Sequence, residues 1–346
     1  MVPPRLTGMR PIELPEELAG VAFTSDRARA LGVPSKALRT SRLEHPTRGV
    51  WAQHPVGADL RERARAAHLA MCGDAAFSHV TGARLLVLPL PPRALQQRRL
   101  DVCTRTDVGQ RRRDGWVGRR GLETRQVVVV DGLRVVDLVD TWIDLAALTV
   151  GRHPTMTRVD LVVVGDEVLN RLLCFANAAQ LTPRRKPYLD AALVAAAYRE
   201  IDAAIARRIR PRGKRNLLWA RERIRPGVRS PKETEARLVV VEAGLPEPLI
   251  NHDITAPDGS GWLGEGDLVW RTRDGWVVVE YQGAHHADRR QASADELRQR
   301  ILEDNGCAVF PMWAEDLDPG ARQRAFLARV AAALTRQCGP TPPQVE

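Results

Sequence analysis

The sequence predicts a multidomain α/β protein: a winged helix-turn-helix, an α/β middle domain, a helical connector and a C-terminal α/β domain. Three observations predict it. The 346 residues allow two or three domains, each with its own core. Helical and strand-like apolar periods alternate along most of the chain. Charge is partitioned: residues 1–232 carry 41 Lys and Arg against 23 Asp and Glu, whereas residues 233–346 carry 11 against 19.

Composition removes several classes. At 44% hydrophobic and 27% charged the chain is not a disordered polymer. Apolar stretches such as Ala191–Ala197 fall well short of the ~20 residues a membrane helix needs, so no membrane partner is expected. The first residues show no basic patch followed by an apolar run, so no signal peptide is expected. Five scattered cysteines without C-x-x-C spacing fit a reduced, cytoplasmic protein with neither a disulfide framework nor a zinc ribbon.

The elements follow in chain order. Residues 1–15 are Pro-rich and read as a flexible arm. Residues 16–52 read as a winged helix-turn-helix. Thr24 or Ser25 caps Asp26–Leu31, Gly32 ends it, and Lys36–Leu43 forms a second helix with Lys36, Arg39 and Arg42 near one side. Arg48–Ala52 would be the wing, and these three basic residues are the candidate DNA contacts. Residues 53–176 read as a mixed α/β domain: a helix over Leu60–Cys72, another within residues 76–91, and strands at Arg99–Thr104 and Val127–Val130. A strand at Leu133–Val139 leads into a helix at Thr141–Leu148, and Asp131-Gly132 marks a hairpin turn. His68, His79 and His153 are isolated, and no catalytic set shows in this region. Residues 177–229 read as a basic helical connector broken by Pro183, Pro187, Pro211 and Pro226. Its stretch 184–229 holds 14 basic and 4 acidic side chains, a density suited to a phosphate backbone.

Residues 230–338 carry the chemistry, and 339–346 read as a flexible tail. Ser230, Pro231 and Glu233 form an N-cap, first-turn proline and capping-box glutamate, and Gly244 supplies the stop. Glu235, Leu238, Val239 and Glu242 share one face of that helix. A hairpin follows, with strands Asp267–Arg271 and Trp276–Gln282 joined through Asp274-Gly275. A two-residue turn there sets Asp267 opposite Gln282 and diagonal to Glu280; a register shifted by two sets Asp267 opposite Glu280. In either register both carboxylates end on one face within about 5–8 Å. Such a pair repels unless a proton or a divalent cation intervenes, and oxygen ligands of this kind suit Mg²⁺ or Mn²⁺ rather than zinc. The stretch 259–264 matches G-x-G-x-x-G but leads into a strand, so no nucleotide cofactor is expected.

A helix carboxylate, a strand Asp and Glu280-Tyr281-Gln282 together resemble the PD-(D/E)XK nuclease site. More narrowly, SPKETEARL, AGLPEP, GEGDLVW, VVVEYQGAHH, ADELRQRILEDNGCAVF and WAEDL resemble the very-short-patch-repair-type endonuclease-like domain. FTSDRARALGVPSKALR, RGVWA, FSHVTGARLLVLPLP and VDGLRVVDLVDTWIDLAAL are similar to the winged helix and middle domain of AbiEi-type antitoxins. The resemblance implies a restriction-endonuclease-like α/β/α domain that cleaves phosphodiesters with Mg²⁺. Asp267, Glu280 and the Tyr281 carbonyl would hold the metal, with Glu235 acting through water or at a second ion. Gln282 or His286 would position the nucleophile, and Arg298 would meet phosphate or pair with a carboxylate. The alternative it implies is a non-enzymatic AbiEi-type antitoxin or transcriptional repressor with a degenerate nuclease fold, partnered by a nucleotidyltransferase-type toxin. Gln282 stands where the general motif has lysine, and Cys307 where an aromatic residue is expected.

Overall fold

The computed structural model describes residues 14–40, 43–53, 57, 59–108, 113–180, 186–256, 261–283 and 298–338. The expected tail 339–346 and residues 1–13 of the expected arm lie outside them. The protein is mixed α/β, with three sheets among the described residues. Its chain divides into two compact units, residues 1–156 with 201–214, and residues 157–200 with 215–346. The stretch 177–229, read from sequence as one connector, is thus shared between the units, and residues 157–176 lie in the second.

The first unit begins with β1 (Phe23–Thr24), α1 (Ser25–Ala30), α2 (Ser35–Thr40), β2 (Glu44–Thr47) and β3 (Val50–Ala52). The Thr24 hydroxyl accepts from the backbone N–H of Arg27 at 3.1 Å, satisfying a donor that every helix start leaves open. Phe23, Ala28, Val33, Leu38 and Trp51 close a small core. The Trp51 indole donates to Ser25 Oγ at 2.8 Å and ties the hairpin to the start of α1. Two short helices followed by a hairpin are present. The second helix is described to Thr40 and Leu43 is not helical, and the hairpin starts at Glu44 rather than Arg48.

Beyond it come α3 (Leu60–His68), β4 (Ala76–Phe77), α4 (His79–Leu85), α5 (Pro92–Leu95), β5 (Leu100–Thr104), β6 (Trp116–Arg120), β7 (Val127–Val130), β8 (Leu133–Val136) and α6 (Leu138–Leu145). Their sheet runs β6-β5-β4-β8-β7, with β5–β6 and β4–β8 parallel. Asp131, with φ of +50°, turns the β7–β8 hairpin as the Asp-Gly pair predicts. The Asp137 side chain accepts from the Asp140 N–H at 2.7 Å, so α6 starts three residues before Thr141 and ends β8 early. Strands β4 and β6 escape a sequence reading. One has two residues, and the other, Trp-Val-Gly-Arg-Arg, lacks apolar alternation.

Charge is buried in this unit. Asp140 and Asp144 on α6 are almost fully buried. Arg125 Nη2 meets Asp144 at 2.7 Å, Arg208 bonds both aspartates, and Arg207 pairs with Asp140 at 3.2 Å. His79 Nδ1 lies 3.5 Å from Asp144. Burial pushes the His79 imidazole down to about 4, despite the opposing pull of Asp144. An unfolded histidine takes up its proton near 6.5, so between pH 6.5 and 4 the unfolded chain binds more protons. Stability is therefore fully present above pH 6.5 and falls as pH drops through that window, by roughly 3 kcal/mol. Urea denaturation at pH 7, 5.5 and 4, read on this unit, should show that slope, and His79→Gln should flatten it.

The second unit holds α7 (Arg158–Ala178), α8 (Ala191–Arg207, of which 191–200 belong here), α9 (Lys214–Arg223) and α10 (Pro231–Glu242). Its sheet is built from β9 (Leu249–Thr255), β10 (Trp262–Thr272), β11 (Gly275–Tyr281) and β12 (Ala308–Met312), in the order β12-β11-β10-β9. Only β11–β12 is parallel. The described helical residues 298–304 (α11), α12 (Ala314–Leu317) and α13 (Ala321–Cys338) complete it. One sheet face packs Leu268, Trp270, Val277 and Val279 against Ala236 and Val240 of α10 and Phe326 and Val330 of α13. The other packs Val269, Trp276 and Val278 against Leu302 of α11. Helices thus cover both faces.

The buried side of α10 is wider than the expected stripe. It holds Glu233, Thr234, Ala236, Arg237, Leu238 and Val240, with Val239 packed against the same sheet core. Arg237 is 1% exposed. It meets Glu247 at 2.9 Å, the Arg223 carbonyl at 2.7 Å and Asp166 of α7 at 3.4 Å. A hydrophobic period registers Leu238 and Val239 but not the buried Glu233 and Arg237, and Glu235 is half-buried at the edge.

Candidate functional site

The hairpin register decides the site. The pairs Thr272↔Gly275 and Arg271↔Trp276 leave Arg273 and Asp274 as the turn, one residue earlier than Asp274-Gly275. Gly275, with φ of +145° and the Gly306 carbonyl 3.1 Å from where a Cβ would stand, takes the last turn position and the start of β11. The turn's shift by one moves the register by two. One step beyond Leu268↔Val279, Asp267 stands opposite Glu280, the second of the two expected arrangements. Both share the sheet face that carries Val269 and Val278, toward α11.

The environment of each carboxylate differs. Asp267 Oδ2 accepts from the Tyr281 backbone N–H at 2.9 Å. Burial, with the charge of Glu233 adding to it, pushes the Asp267 carboxyl up to about 6. The Tyr281 N–H, rather than its carbonyl, is therefore what the structure ties to Asp267. Glu280 is 8% exposed, and its Oε2 meets Arg298 Nη2 of α11 at 2.7 Å. Of the two roles open to Arg298, pairing with a carboxylate is the one seen.

Of the α10 carboxylates, Glu233 is the one whose charge acts on Asp267. Glu235, half-buried, pairs with Lys232 at 2.6 Å, three residues away. Glu233 is buried, and its Oε2 accepts from the Arg229 N–H at 2.9 Å and from Asn251 Nδ2 of β9 at 2.7 Å. The capping box is thus varied: Ser230 caps the helix, while Glu233 turns to the residue before the cap. Its third-position spacing marks a cap; only its burial beside Asp267 marks it as part of the site. Gln282 is half-buried, its N–H donating to the Met312 carbonyl at 2.8 Å. His286 lies outside the described residues.

Three carboxylates, hard oxygen donors, with Asp267 held toward its neutral form by burial and by Glu233, are the chemistry that a divalent cation relieves. Among the described residues no three His, Cys, Asp or Glu side chains lie close enough together to hold an ion. The donor set suits Mg²⁺ in kind, and its closure requires Arg298 to yield Glu280.

The candidate DNA contacts lie in the first unit. Lys36 and Arg39 are exposed on α2, whose Leu38 is buried in the core beneath. Arg42 lies outside the described residues. Among the described residues no helix is long and apolar enough to cross a membrane.

No family model matches the chain. An uncharacterized protein of Mycobacterium tuberculosis, found in two of its strains, is 32% identical over 162 residues, covering 44% of this chain and 56% of the relative. The chain thus spans about half the length of the curated relatives it matches.

Proposed function

We propose that the chain is a DNA-binding protein whose C-terminal domain is a Mg²⁺-dependent phosphodiester-cleaving endonuclease of the PD-(D/E)XK type, serving phage defence or DNA processing. The observation that carries this reading is Asp267 facing Glu280 at the end of two buried central strands, with Glu233 in electrostatic reach. The helix-covered mixed sheet supports it. Asp267 and Glu280 would hold Mg²⁺ or Mn²⁺, which when bound supplies Lewis-acid stabilisation and an acidified water. Glu233 adds negative charge behind Asp267. Gln282, a neutral amide, can orient a water but cannot accept its proton. Lys36 and Arg39 would anchor duplex DNA through its phosphates.

The test is cleavage of plasmid and linear DNA, and of RNA, by purified protein with Mg²⁺ or Mn²⁺. Nicking that chelator abolishes is expected. For DNA binding, the double substitution Lys36→Ala with Arg39→Ala should weaken duplex affinity at least about tenfold at moderate salt and lower the salt slope by about 2. An unchanged slope removes α2 from the interface.

One observation favours a second reading. Arg298 on Glu280, together with Gln282 in the lysine position, suits a non-enzymatic AbiEi-type repressor with a nuclease-like fold and a nucleotidyltransferase-type toxin partner. Tight binding to its own promoter without cleavage of any nucleic acid would select it.

A further inference from the structure

The first unit contains a second polar centre that the nuclease reading leaves unused. It is a cleft of about 350 Å³ between β6, the segment after it, α6 and residues 208–212. That volume lies at the small end of the roughly 300–1,000 Å³ typical of ligand pockets. Its floor is charged: Arg125 and Arg208, with side chains 9% and 6% exposed, both bond Asp144. Its rim carries the exposed guanidinium groups of Arg120 and Arg212 and the hydroxyl of Thr106.

The charge does not balance. Arg120, Arg125, Arg207, Arg208 and Arg212 stand against Asp140, Asp144 and Glu123, an excess of two positive charges. Glu123 is further engaged by Thr106, through the hydroxyl at 2.6 Å and the backbone N–H at 3.1 Å. Buried ion pairs contribute little net stability over well-packed apolar residues, so a network of this size points to use rather than to support.

The backbone around the cleft is strained at several points. His79 and Arg210 adopt φ of +48° and +52°. Gly213 approaches α6 so closely that a Cβ would stand 2.0 Å from the Ala146 carbonyl oxygen, which pins residues 208–212 over the cleft. Strain of this kind gathers where a binding geometry is held in advance.

We propose that this cleft binds a phosphomonoester group, its dianion meeting the guanidinium donors of Arg120 and Arg212 at the rim above Arg125 and Arg208, which Asp140, Asp144 and the Arg120 and Gly121 carbonyls hold in place as the positive floor. Guanidinium forks match phosphate oxygens in pairs, and an excess of two positive charges matches the dianion. The group can belong to a small sugar phosphate or to the 5′ end of a DNA strand. The proposal does not rest on the nuclease reading, because none of its residues belongs to that site.

Calorimetric titration of the full chain with inorganic phosphate and with ribose 5-phosphate tests it. One saturable site is expected, weakened at least tenfold by Arg212→Ala and by Arg120→Ala and unchanged by Arg93→Ala on the exposed side of α5. Competition with matched oligonucleotides distinguishes the sources. Preference for a 5′-phosphorylated over a 5′-hydroxyl strand, lost in Arg212→Ala, assigns the cleft to a DNA end; ribose 5-phosphate binding without that preference assigns it to a small molecule. No saturable binding at millimolar concentrations of any phosphorylated probe, or equal weakening by Arg93→Ala, overturns the proposal.

Discussion

Replacing Arg237 with methionine destabilises the second unit by about 3–5 kcal/mol, the cost of leaving a buried charge without its partner. Arg237 joins α7, α10 and the chain around Glu247 through Asp166, Glu247 and the Arg223 carbonyl. Methionine fills much of the same volume, so the loss would come from Asp166, which is fully enclosed and also bonds Thr234 and the Arg225 N–H. Adding Asp166→Asn should therefore recover part of the stability, since the orphaned charge leaves with it. Urea denaturation of the single and double variants checks this, with the midpoint of the second unit as the readout. If the double variant is as unstable as the sum of its parts, the pair is not coupled.

The second large effect is on cleavage. Asp267→Asn and Glu280→Gln should each reduce Mg²⁺-dependent nicking by 10²–10³, about 3–4 kcal/mol of transition-state stabilisation. Both changes keep shape and remove charge, so folding is expected to survive. Glu235→Gln should leave the rate within about twofold, because Glu235 spends its charge on Lys232. Glu233→Gln is the informative intermediate: it removes the charge that Asp267 feels and should slow cleavage measurably. Quantifying supercoiled plasmid loss under single-turnover conditions separates the four variants. A rate that falls with Glu235→Gln but not with Glu233→Gln would contradict the placement of the helix carboxylate.

The hairpin, the capped helix α10 and the pairing of two short helices with a β-hairpin are legible in the residues because each carries a local signal. Asp131-Gly132, Ser230-Pro231 and Thr24 act through backbone geometry that neighbours do not override. The site was half legible. Strand alternation places Asp267 and Glu280 on one face whichever register holds, but the choice of register depends on Gly275 accepting the last turn position. The part of Glu233 is not legible for a physical reason: Glu233 and Arg237 are buried by hydrogen bonding and ion pairing, which apolar spacing does not register. His79 reads as isolated because Asp144 and Arg125, whose charges act on it in the fold, lie 65 and 46 positions away. Long-range charge networks leave no periodic trace.

Calorimetric titration with Mn²⁺ is the most direct measurement of whether Asp267 and Glu280 form a cation site. One saturable site is the expected result in the native protein, at least tenfold weaker in Asp267→Asn and tighter in Arg298→Ala, where the guanidinium no longer competes for Glu280. A native protein that takes up no Mn²⁺, or an isotherm indifferent to Asp267, would contradict it and leave the repressor reading standing.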